Sequence, residues 1–110
     1  MQWFDERGEL RVKITAEDLF DPVKTIAEMT EILTGGEFPR VAIDLAGITY
    51  VQSIQIGTIV AMHMVAYENL SIIRFMNISP RIKELLVAVG LDKIVESHHG
   101  EKVMKDSFKL

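Results

Sequence analysis

DLAGITYVQSIQIGTIVAMHM, residues 44–64, changes its period midway. Through Tyr50 it reads as the end of a strand and its exit. From Ile54 onward it reads as a helix, and Ser53 stands on the joint between them. The residues leading into it, RVAIDLAGI, are short, β-rich and apolar, as a central strand should be. After the helix, SIIRFMNI has the same character, so the helix connects two strands.

Working outward, ELRVKIT alternates Leu10, Val12 and Ile14 against Arg11 and Lys13, the period of a half-buried strand. The QWF run and the DERGE turn before it predict a short first strand paired with it as a hairpin. In FDPVKTIAEMTEILTGG, Asp21 is placed to cap a helix, Pro22 to occupy its first position and Gly35-Gly36 to stop it. SPRIKELLVAVG repeats that grammar, with Ser79 as cap, Pro80 at the first position and Gly90 as stop. A short element, LDKIVES, follows, and HHGEKVMKDSFKL is a polar tail. Helices are therefore expected near residues 22–34, 54–68 and 80–89. The alternation predicts a single α/β domain over residues 1–97, with 98–110 as the tail. Its mixed sheet has four or five strands and helices packed on one face. The other face is expected to be open or covered by the termini.

At 110 residues the chain supports one domain, and 48% hydrophobic content supplies a core. The net charge of −4 and the scattering of the basic residues argue against direct nucleic-acid binding. The absence of cysteine removes disulfides, thiolate metal sites and thiol nucleophiles. MQWFDERGEL has acids and no apolar run, unlike a signal peptide. The apolar run from Ile54 to Ala66 is shorter than the ~20 residues of a membrane span. The expectation is a cytoplasmic protein without membrane insertion.

A helix that starts just after a strand aims its first backbone N–H groups, and the positive end of its dipole, at the corner. Ser53 can use its oxygen to cap that helix. It can equally carry a phosphate there, adding a charge of about −1.5 to −2 at pH 7. The helix behind it is apolar on nearly all sides, the mark of burial or of a surface for a partner. Met62 falls on the side of Gln55 and is expected to face outward as an adaptable contact. A homodimer is the other way to cover such a face.

The stretch VAIDLAGITYVQSIQIGTIVAMH, followed by NISPRIKELLVAVGLDKI, resembles the STAS domain of bacterial anti-sigma factor antagonists. Asp44-Leu45, Ser53, Ile56 and Gly57 fall on the family's first motif. Ser79, Pro80, Leu85, Gly90, Leu91, Lys93 and Ile94 fall on its second, more specific one. The order of elements matches from about Phe4 to Glu96. The resemblance implies a transcription regulator that binds an anti-sigma factor which is also a serine kinase. It implies that Ser53 is the phosphoacceptor, and that phosphate there blocks binding. Gln52, Ser53, Gln55, Ile56 and Met62 would then form the partner-binding surface. Gln52 stands where the family has an acid, and Ile54 and Gln55 are larger than the family's small residues.

An enzyme reading finds no catalytic residues. Asp18, Asp21 and Asp44 are spread along the chain, and Asp44 at a strand end suits a turn. His98-His99 are adjacent without metal-ligand spacing, and His63 lies in an apolar helix as a structural residue. Neither a metal nor a cofactor is expected. Two alternatives remain. One is a STAS subunit docking, without phosphorylation, onto a transporter or stress-signalling assembly. The other is a small ligand-binding domain or enzyme using a cleft near Ser53.

Overall fold

Arg7 and Gly8, both in the left-handed region (φ 53° and 86°), fold strand β1 (Gln2–Glu6) back on β2 (Glu9–Lys13). A tight hairpin needs positive φ at both central positions, which glycine supplies without strain. The Asp5 carboxylate accepts from the Gly8 N–H at 2.9 Å and closes the turn. This is the expected hairpin. The computed structural model describes residues 1–88 and 90. The LDKIVES element, the polar tail and the domain boundary at residue 97 lie outside the described residues.

From β2 the chain passes through a short helix, α1 (Ala16–Leu19), and a longer one, α2 (Pro22–Thr34), to β3 (Arg40–Asp44). Helix α3 (Ser53–Glu68) then leads to β4 (Ile72–Met76), and α4 (Pro80–Ala88) follows. The sheet order is β1-β2-β3-β4, with β1 antiparallel to β2 and the other pairs parallel. This is the mixed α/β layer expected of the chain. Asp21 caps α2 by accepting from the Lys24 N–H at 3.2 Å, and Ser79 caps α4 through the Ile82 N–H at 3.2 Å. Helix α1 was not foreseen. Its signal is the reciprocal cap in TAED: Thr15 N–H donates to Asp18 Oδ2 at 2.9 Å, and Asp18 N–H to Thr15 Oγ1 at 3.1 Å.

Register decides the two faces of the sheet. The rows Leu10–Val41–Ile73 and Val12–Ile43–Phe75 are fully buried and join Met29, Leu33, Ile59, Met62, Ile82 and Leu86 in one core. The opposite face carries charge. Glu9 accepts from Arg74 Nε and Nη2, each at 3.0 Å, and from Arg11 Nε at 3.0 Å. Its carboxylate reaches from β2 to β4 across β3, where Ala42, fully buried, leaves room beneath.

Burial pushes the Glu9 carboxyl up, but the hydrogen bonds and charges of Arg74 and Arg11 outweigh it and hold it below 4.5. A depressed carboxylate stabilises the fold above its unfolded pKa, and that contribution is lost as pH falls through the folded one. Glu9→Gln should therefore cost about 1 kcal/mol at neutral pH, the pair being partly solvent-screened. Urea unfolding should show the gap to wild type closing below about pH 4.5.

Candidate functional site

Ser53 lies at the carboxyl ends of the parallel strands, where open α/β sheets place their sites. The loop from Leu45 to Gln52 is pinned beneath by Leu45, Ile48 and Val51, all buried. Asp44 begins it as a turn residue, as expected. Its Oδ1 accepts from the Ala46 N–H and from Asn77 Nδ2, each at 2.9 Å. Burial pushes Asp44 up, but these bonds, with Lys13 and Arg11 nearby, hold it below the usual carboxylate range. Ser79 Oγ reaches the Thr49 carbonyl at 3.4 Å, and the Arg81 guanidinium lies 5.9 Å over the Tyr50 ring. The start of α4 thus borders the start of α3.

Ser53 does not cap α3. Gln52 does, with extended backbone (φ −99°, ψ 170°), and Ser53 is the first helical residue. The Gln52 N–H donates to Gln55 Oε1 at 2.7 Å, and its carbonyl accepts the first helical bond, from the Ile56 N–H at 3.0 Å. A Gln can close this turn because its longer side chain reaches back from the third helical position. Ser53 is exposed, and its hydroxyl makes no hydrogen bond to a described residue.

The outward assignment of Gln55 and Met62 is corrected. They do share a side, being seven residues apart, but that side faces the core: Gln55 is 2% exposed and Met62 0%. The cause is polar. Gln55 Nε2 donates to the Ala16 carbonyl at 3.1 Å, and Thr58 Oγ1 donates to the Leu19 carbonyl at 2.6 Å. Helix α3 turns its polar side chains inward, where they satisfy the carbonyls of α1. Exposed on the helix are Ile54 in its first turn and, near its other end, Met64 and Tyr67. Of the residues expected at the surface, Gln52 and Ser53 are exposed and Ile56 is half-buried. Tyr50, Ile54 and Met64 were missed as surface residues, though all three lie within residues 44–64.

Thr58→Val keeps the side-chain shape while removing the donor to Leu19. The orphaned carbonyl should cost about 1–3 kcal/mol, read by thermal or urea unfolding. Wild-type stability in this variant would mean that the inward polar face of α3 is dispensable.

His63 is half-buried, and desolvation holds its imidazole below its ordinary value. Among the described residues no group of three His, Asp or Glu is placed to hold a metal ion. No helix among them is long and apolar enough to cross a membrane. Compared with known proteins, the chain matches no family model and no curated sequence.

Proposed function

We propose that the chain is a regulatory binding domain acting as the STAS-type anti-sigma factor antagonists do. It captures a serine-kinase anti-sigma factor with the surface at the start of α3, and phosphate on Ser53 ends the capture. One observation carries this reading: the capping role at this corner belongs to Gln52 and Gln55, so the Ser53 hydroxyl is exposed and uncommitted at a helix N-terminus. A phosphate there lies against first-turn N–H groups and the positive end of the dipole. The ring of Tyr50 and the side chain of Ile54 flank it in sequence, and Met64, about three turns further along α3, adds exposed apolar contact area on the same helix.

The test is calorimetric titration with the serine-kinase anti-sigma factor of the same organism. Ile54→Asp and Met64→Asp should each weaken binding by about tenfold or more. Both positions are exposed, so stability should stay within about 0.5 kcal/mol of wild type. Wild-type affinity in both variants would remove this surface from the proposal. The second reading, a STAS subunit that docks without phosphorylation, draws on Gln52. A carboxylate at that position would help orient the hydroxyl or a kinase-bound metal, and an amide does so poorly.

A further inference from the structure

Trp3, the chain's single tryptophan, is no core residue, being 49% exposed. It stands opposite Val12 on the helix-covered side of the sheet, but on the outermost strand. Its ring meets Phe38 edge to face, centroids 6.4 Å apart and planes at 78°. With Glu28, Glu31 and Gly36 the two rings line a hollow of about 420 Å³ against the C-terminal half of α2. A Cβ on Gly36 would come within 2.8 Å of the Phe38 ring, so the ring's place depends on glycine there.

The hollow has one electrostatic sign. Neither Glu28 nor Glu31 makes an ion pair with a described residue, and α2 has no basic residue in its last turn. The negative end of the α2 dipole adds to both carboxylates. Aromatic faces also favour a cation. Beside the hollow, β1 pairs only with β2 among the described residues, so its outer N–H and C=O groups form an open edge. A strand added there would run about 4.8 Å from β1. Every second side chain would project on the face of the sheet that Trp3 occupies. A second copy of this chain fits badly, because β1 itself carries Asp5 and Glu6 and the net charge is −4.

We infer that the β1 edge and the Trp3–Phe38 hollow form a docking site for an extended basic segment of a partner protein. β1 supplies the main-chain hydrogen bonds, and the hollow takes an Arg or Lys side chain between the two rings and the carboxylates of Glu28 and Glu31. This site lies apart from Ser53 and does not rest on its role.

Trp3 reports on the site directly, as the only indole. The full chain is titrated at low salt with the peptide acetyl-Val-Arg-Val-Arg-Val-amide while Trp3 emission is followed. A saturable change is expected, weakening as salt rises. The double variant Glu28→Gln/Glu31→Gln should weaken binding by about tenfold. Citrulline in place of arginine, which keeps the shape without the charge, should do the same. Methylation of the peptide's backbone nitrogens should abolish the signal, since edge pairing needs them. Absence of a saturable change with the arginine peptide would overturn the inference. So would equal binding by the citrulline or N-methylated peptide. Equal binding by arginine amide alone would leave only a small-cation hollow, and a concentration-dependent dimer burying Trp3 would give the edge to a second copy; either result overturns it.

Discussion

Met62→Asp is expected to unfold the domain. Met62 is fully buried in the core shared with Ile59, Phe75 and Leu86. Losing its apolar burial alone removes about 2–3 kcal/mol. A carboxylate placed there must either ionise without a partner or stay protonated far above its ordinary range. Either route adds several kcal/mol. The sum of about 5 kcal/mol or more rivals the whole stability of a typical domain, about 5–15 kcal/mol. Circular dichroism should show the melting transition lost or displaced far downward. Met64→Asp, two residues on and 47% exposed, is the control and should melt as wild type. A cooperative, wild-type-like melt for Met62→Asp would mean that α3 presents a different side to the sheet.

The second large effect concerns the proposed switch. Incubation with the kinase and ATP should add one phosphate, and Ser53→Ala should remove it. At the first helical position the phosphate meets the dipole favourably, so folding stability should hold or rise by about 0.3–1 kcal/mol. Binding should respond in the opposite direction. A partner covering Tyr50, Ile54 and Met64 would have to desolvate a doubly charged group at the rim of an apolar patch. Affinity should fall by about a hundredfold, on the order of 3 kcal/mol. Gln52→Asp should speed labelling by supplying the acid that the STAS antagonists carry at this position. If neither wild type nor Gln52→Asp is labelled, and both bind the partner tightly, the domain is a constitutive binder.

Much of the fold was legible because its punctuation is local. Asp21-Pro22 and Ser79-Pro80 mark helix starts by cap chemistry, and alternation in Leu10, Val12 and Ile14 marks a strand face. The capping box at Thr15 and Asp18 was equally local, but four residues are too few for a helical period to show. The orientation of α3 was not legible. A helix apolar all round carries no sign of which side is inside, and rank by polarity pointed the wrong way. What turns it are carbonyls of Ala16 and Leu19, each 39 residues from its donor in sequence. Gln52 as the cap was hidden for a different, local reason: Gln is an uncommon cap, and a neighbouring Ser is a favoured one.

Those bonds between elements also bear on how the helices assemble. A four-residue helix cannot overcome the cost of its own nucleation. Two carbonyls of α1 find side-chain donors in α3, Ala16 in Gln55 and Leu19 in Thr58, and Asp18, which also accepts from the Asp21 N–H, takes a second donor from Thr25 of α2 at 2.6 Å. Helix α1 is therefore expected to form once α2 and α3 have docked on the sheet, and its amides should exchange with solvent faster than theirs. It clasps α2 to α3, and a local opening that moves either helix away breaks the bonds that hold it.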